Sequence, residues 1–232
     1  MKSFLNIRVG LILLFVVAIS QLSSAQEELT IFTNEEVSFK LKGKNDWGYQ
    51  FGLHHRNTIY DEEESTFLGN FIEVNHYTSK KIGENGKLAG GFRYRFQKIF
   101  DEEAHEEMRF IQQYSHIKPL STGRLNFRVR LAQRFREKIT FRSRYRIGYE
   151  LPLKTIEENS NQKQIFYLVN TEMVWEFGKN ELPSFGHRFT TGVAFEVFNN
   201  AKLTITGEYR HRNYTQNPYT EIHFNTGLSF SL

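Results

Sequence analysis

Residues 124–151 read RLNFRVRLAQRFREKITFRSRYRIGYEL, and their pattern decides the fold. In the first half, Leu125, Phe127, Val129, Leu131 and Phe135 share one parity; Asn126, Arg128, Arg130, Ala132, Arg134 and Arg136 share the other. In the second half, Phe141, Tyr145, Ile147, Tyr149 and Leu151 alternate with Arg142, Arg144, Arg146, Gly148 and Glu150. A period of two marks a β-strand, because successive side chains leave a strand on opposite faces. A helix would scatter these arginines around its circumference. The two ladders, joined by a tight turn at 137–139, form a hairpin with one greasy aromatic face and one face crowded with guanidinium groups. A soluble core turns its apolar face inward. A membrane barrel turns it toward lipid and lines the lumen with polar side chains, and the hairpin fits that arrangement.

The remaining composition agrees with such a barrel. The chain has 232 residues, enough for one mid-sized domain. Residues 1–25 have a basic start at Lys2 and Arg8, an apolar run from Leu11 to Ile19, and small residues at Ser23, Ser24 and Ala25. That is the pattern of a cleaved secretory signal, and the apolar run is short for a spanning helix. The expected mature domain is 26–232. Cleavage removes two positive charges from a formal net charge of +4, so the basic balance does not call for nucleic acid. There is no cysteine, hence no disulfide, thiolate metal site or lipid-modified N-terminal cysteine. Mean hydropathy is −0.51, and no long apolar segment follows the signal. Helical membrane spans are excluded; strands that are half polar are not. The 22 Phe and 11 Tyr suit a lipid-facing surface with aromatic girdles.

Eleven alternating segments can be counted along the chain. Single-chain bacterial barrels have even strand numbers. The expectation is therefore an all-β, transmembrane, antiparallel up-and-down β-barrel of about twelve strands, the first segment breaking near Asn34. Ten is the alternative, with one segment not a stave. In residues 67–79 the inward parity is undecided, because Phe71 and Ile72 are both apolar. Residues 178–186 read as a loop, and the acidic stretches 61–64 and 101–107 as solvated faces. With the C-terminus periplasmic, the short turns at 83–86 and 199–200 face the periplasm, and loops at 57–66, 98–107 and 213–218 face out. The long loop at 152–163 and the tight turn at 137–139 do not follow that division.

The inward parity collects the charge. It carries Arg93, Arg95, Arg109, Arg128, Arg130, Arg134, Arg142, Arg144, Arg146 and Arg210, with Arg56, Arg136, Arg188 and Arg212. Glu172, Glu196 and Glu208 face them, with Glu150, Glu176 and Glu221. Bidentate pairing of guanidinium and carboxylate would make this set a plug filling a narrow lumen. The functional reading is an anion-selective pore or a site for an acidic ligand, kept alive by the surplus of arginine. The plug is preferred. No catalytic residue, cofactor or metal site is expected. The eight histidines lack metal spacing, adjacent His54 and His55 face opposite ways, and Ser143 and His116 lie on strands that are not neighbours. No Gly-x-Ser-x-Gly nucleophile motif occurs.

A series of short motifs then carries a resemblance. It runs through Arg56, Phe92-Arg93-Tyr94-Arg95, Glu107-Met108-Arg109-Phe110, the stretch Phe127 to Phe135, Arg142-Ser143-Arg144-Tyr145-Arg146, Leu151-Pro152-Leu153, Glu172, His187-Arg188-Phe189 and Glu208-Tyr209-Arg210. Over roughly residues 30–232 the chain resembles the bacterial outer-membrane barrel family known as domain of unknown function 2490. The resemblance implies an outer-membrane location and no established activity or catalytic residue. The turn at 137–139 is abbreviated against that pattern. The function read from the sequence is structural or pore-forming. Alternatives are a barrel enzyme acting on membrane lipid and a soluble ligand-binding β-barrel. The expected partner is outer-membrane lipid, with no nucleic acid; protein partners are not legible. The mature chain is expected to begin at Gln26, to fractionate with outer membranes and to show heat-modifiable gel mobility. Recovery as a soluble monomer without detergent would revive the soluble barrel.

Overall fold

The computed structural model describes residues 29–61, 68–97, 106–153, 164–198 and 200–232. The signal-like segment 1–25, the acidic stretches 62–64 and 101–105, and most of the 152–163 loop lie outside the described residues. The described residues form eleven strands: β1 (Leu29–Lys42), β2 (Trp47–Tyr60), β3 (Leu68–Ile82), β4 (Gly86–Gln97), β5 (Glu107–Leu120), β6 (Gly123–Phe135), β7 (Thr140–Pro152), β8 (Ile165–Gly178), β9 (Glu181–Phe198), β10 (Ala201–Arg212) and β11 (Tyr219–Ser231). Each pairs with its sequence neighbour, and β11 returns to β1, closing the sheet into a barrel.

The even strand number expected from the sequence is corrected. β1 runs unbroken through Asn34, which stands opposite Arg56 on β2 and Asn225 on β11. All eleven segments are staves. Every hairpin reverses the chain, so with an odd count the first and last strands point the same way. The seam is accordingly parallel, from Leu29 opposite Thr220 to Lys40 opposite Ser231. At its far end Leu232 N–H donates to the Lys40 carbonyl at 2.8 Å, and the Phe39 and Phe230 rings stack at 5.3 Å.

The two ends of the barrel differ. One, here the loop end, carries the start of β1 and the connections 61–67, 98–106, 136–139, 179–180 and 213–218. The other, the turn end, carries 43–46, 83–85, 121–122, 153–164, 199–200 and Leu232. The outward face is apolar and exposed over much of its height, with Phe39, Phe51, Leu53, Phe110, Val129, Tyr145 and Phe224 among its side chains. The inward face is polar, and its buried residues are mostly charged or amide-bearing.

Two local readings change. The stretch 178–186 is not a loop: only residues 179–180 turn, with Asn180 at φ +60°, and β9 begins at Glu181. The sequence shows Pro183 and Gly186 there, which mimic a loop. Proline is tolerated because two residues, Leu182 and Pro183, oppose Phe177 alone at a bulge, where the ladder asks for no donor. In β3 the odd positions point inward, so Phe71 enters the lumen and is only 1% exposed.

The parallel seam is directly testable, since the chain lacks cysteine. Val37 and Leu228 are Cα partners across it. A Val37→Cys, Leu228→Cys pair is expected to crosslink on oxidation and hold a compact band on denaturing gels until reduced. An extra strand between β1 and β11 would leave the thiols unjoined.

Candidate functional site

The inward side chains form linked ion-pair groups at and above the barrel's middle. Glu73 on β3 is 0% exposed. Arg93 Nη1 donates to its Oε1 at 2.7 Å and Arg95 Nη2 to its Oε2 at 2.8 Å; Arg109 Nη1 lies 3.5 Å away and His54 Nδ1 3.8 Å. Glu107, opening β5, accepts from Arg109 Nε and from both Nε and Nη2 of Arg134. Arg134 reaches on to Glu176 at 2.6 Å, and Glu176 also accepts from Arg142 Nε at 2.7 Å and Arg136 at 3.0 Å. Carboxylates and guanidiniums thus alternate across six strands, β3 to β8, in the fork geometry that makes Arg–carboxylate pairs strong.

A second group is centred on β10 and β11. Glu221 accepts from Arg212 at 2.6 Å and Arg210 at 3.3 Å, and Arg210 also pairs with Glu208. His223 is 0% exposed, with Nε2 2.9 Å from Glu221 and Nδ1 3.0 Å from Asn34 Nδ2. A carboxylate only accepts and an amide nitrogen only donates, so this geometry assigns the proton to Nε2. Asn34 Oδ1 then accepts from Arg56 Nε at 2.8 Å. Phe71 joins the two groups: its ring lies 4.8 Å from Arg56 Cζ and 3.6 Å from Arg95 Cζ, with the His54 ring edge-on at 5.1 Å. Cation–π attraction gives this apolar ring a place among charges.

The third group, nearer mid-height, has Glu172 with Arg128, Arg144 at 3.9 Å and Arg188 at 3.6 Å. Arg130 finds a neutral partner, Gln113 Oε1, at 2.9 and 2.6 Å. Nε of Arg128 and of Arg144 are buried with no hydrogen-bond partner. Arg146 lines an open cavity at the turn end. Glu196 belongs to none of these groups; its Oε2 lies 3.4 Å from the Gln164 backbone nitrogen.

The reading from sequence misses two carboxylates, Glu73 and Glu107, that between them pair with Arg93, Arg95, Arg109 and Arg134. Glu73 sits on the strand whose parity was undecided. The acidic stretch 101–107 reads as a solvated face, yet Glu107 is 1% exposed and begins β5. The signal is present in Glu107-Met108-Arg109, an alternation that carries the strand back from Met108 to Glu107. Tyr77 was missed as well: its hydroxyl accepts from Arg93 Nε at 2.8 Å, and Arg93 and Arg130 each approach its ring at 5.6 Å.

Among the described residues no group of three His, Asp or Glu side chains comes together to hold a metal. Ser143 on β7 and His116 on β5 are separated by β6. Among the described residues the inward site is an ion-pair lattice.

Residues 29–221 match the family described as "Protein of unknown function (DUF2490)". The chain belongs to this family. No curated protein and no solved structure matches it. In this DUF2490 barrel the match covers β1 to the first residues of β11, and so every strand that supplies the three groups.

The lattice depends on close approach at Gly91. A Cβ built there would lie 2.3 Å from the Tyr77 ring, while one at Gly90, facing outward, would meet nothing within 4 Å. Gly91→Ala is expected to destabilise the barrel to urea by about 1–3 kcal/mol by displacing Tyr77 from Arg93 and Arg130. Gly90→Ala is the control, expected to change little. Equal effects of the two would show that Tyr77 contributes nothing.

Proposed function

We propose that this protein is an exported outer-membrane β-barrel with a structural, non-conducting role, its lumen closed by its own arginine–glutamate lattice. The observation that carries the reading is the combination of an exposed apolar exterior and a charged, buried interior. A soluble barrel has no use for outward Phe39, Phe51, Val129, Tyr145 and Phe224, and a contiguous apolar surface of this kind marks a membrane or a partner. In a membrane strand the lipid face is apolar and the lumen face polar. The signal-like pattern of 1–25 supports the same location, with the turn end toward the periplasm.

Closure against ions is supported by the loop end. Glu73, Glu107 and Glu221 are buried beneath it among guanidinium groups, and among the described residues a void beside Glu176 and Arg212 measures about 20 Å³. That is room for about one water, not for a hydrated ion path. A small barrel filled by side chains has little free cross-section.

The lumen is tested through Glu172, whose side chain is 4% exposed and serves three arginines. Glu172→Gln leaves those arginines undercompensated. In a dry lattice this costs about 3–5 kcal/mol in urea unfolding and opens no current in planar bilayers. In a wet lumen screening holds the cost to about 1 kcal/mol or less, and anion current rises as negative charge leaves the wall. The first result is expected; the second, or a sizeable wild-type anion current, would replace the plug by a pore.

A further inference from the structure

The barrel is filled at one end and hollow at the other, and the hollow end has an uncompensated charge. Below the lattice two cavities of about 670 and 560 Å³ meet at Glu36, Lys40 and Gln50 and open at the turn end. They form one bowl. Its walls carry Lys40, Lys42, Lys81, Lys87, Arg130 and Arg146, none of which is in an ion pair among the described residues. The cations already paired above, such as Arg93 with Glu73 and Arg128 with Glu172, are not in this tally. The bowl's carboxylates outside the lattice are only Glu36 and Asp46.

Six cations in no ion pair face two side-chain carboxylates here: Arg130 and Arg146 deep in the bowl and four exposed lysines around its mouth, so positive potential is concentrated at the opening. Field lines are focused in a cleft lined by one sign of charge, and an anion entering it is concentrated there. The floor is not free to adapt. Arg130 is 9% exposed and held by Gln113 Oε1, and its planar fork is pre-organised for an oxyanion. The buried, unpartnered Nε atoms of Arg128 and Arg144 show that N–H donors already exceed acceptors in this layer. Neutral donors, among them Gln50, Ser79 and Asn170, fill the wall between the cations.

We infer that this bowl is a binding site for a phosphate-bearing ligand, entered from the turn end, with Arg130 and Arg146 on its floor and Lys40, Lys42, Lys81 and Lys87 around its mouth. Phosphate fits better than a single carboxylate. A phosphomonoester carries between one and two negative charges and three acceptor oxygens, and the cations converge from β1, β3, β4, β6 and β7 rather than as one pair. The floor arginines supply bidentate geometry, and the lysines supply compact charges on flexible stems. The phosphate can be that of a small soluble ester or of a lipid headgroup reaching over the rim, where Trp47 and Tyr49 stand beside Lys42. The inference rests on the closed loop end, since an open pore would pass the anion rather than hold it.

Trp47 makes the site readable. The chain has two tryptophans; Trp47 stands at the outer rim of the bowl with Lys80 Nζ 5.2 Å from its ring, and Trp175 stacks on Phe185 on the outer surface away from it. In a Trp175→Phe background, in non-ionic detergent, Trp47 fluorescence is followed while glycerol 3-phosphate is added, with chloride at matched ionic strength as reference. In a second arm the same protein is reconstituted into vesicles of phosphatidylcholine with or without phosphatidylglycerol. A saturable response to glycerol 3-phosphate, weakened at least fivefold by Arg130→Gln and by Lys87→Gln, supports the site with a soluble phosphoester. A response confined to the phosphatidylglycerol vesicles and lost in Lys87→Gln supports it with a lipid headgroup. Lys87 is in no ion pair among the described residues, so its variant keeps the heat-modifiable band even where Arg130→Gln does not fold. Indifference to both probes in a folded barrel overturns the inference while leaving the plug intact; a channel current overturns the plug instead.

Discussion

A carboxylate sealed from water at Glu73 is the constraint on which the rest of the lumen depends. An ionised group with no exposure is tolerated only when paired and hydrogen-bonded. Its partners come from the two strands that follow, Arg93 and Arg95 on β4 and Arg109 on β5, with His54 on the strand before. Each of those arginines has more donors than one carboxylate can use. Arg109 therefore draws in Glu107, Glu107 draws in Arg134, and Arg134 draws in Glu176. A chain of this kind closes only if every strand holds its register, because a slip by one residue turns the charged row outward. Such lattices contribute less to net stability than their contacts suggest, since desolvation offsets most of the attraction. What they add here is register.

The same barrel is solid at the loop end and hollow at the turn end, and the cause is side-chain volume along the inward rows. Toward the loop end those rows carry Phe71, Glu73, Arg95, Arg134, Arg142 and Arg212. Toward the turn end they carry Ser38, Gly48, Ser79, Ala89, Gly227 and Ser229. Small side chains leave the bowl, and long lysines and arginines reach into it from its walls. The parallel seam adds a second asymmetry, placing the start of β1 at the filled end and the close of β11 at the open one. The proposed plug and the proposed ligand bowl are therefore compatible within one lumen, separated by height.

Tertiary context also explains aromatic residues that belong to neither face by pattern alone. Phe71 and Tyr77 lie inside because guanidinium planes cover them, and Gly91 leaves the space that the Tyr77 ring occupies. Ring faces substitute for carboxylates where the count of glutamates runs short.

The alternation of residues 124–151 was enough by itself to determine β-strands and the division into an apolar and an arginine-rich face. The reason is that a period of two is a local property of the backbone, present in the residues before any contact forms. The same local logic made each of the eleven staves legible. The closing partner was not legible, because the pairing of β1 with β11 joins residues almost the whole chain apart and no periodicity records direction; the even-number rule pointed to twelve. Nor was the identity of each arginine's partner, since Glu73 meets Arg95 and Glu172 meets Arg188 directly across a ladder, and Glu107 meets Arg134 on a diagonal, through a strand register that only the folded barrel sets. Phe71 could be placed only by the tertiary structure, because on its strand both parities are apolar and the deciding contacts, Arg56 and Arg95, come from the strands on either side.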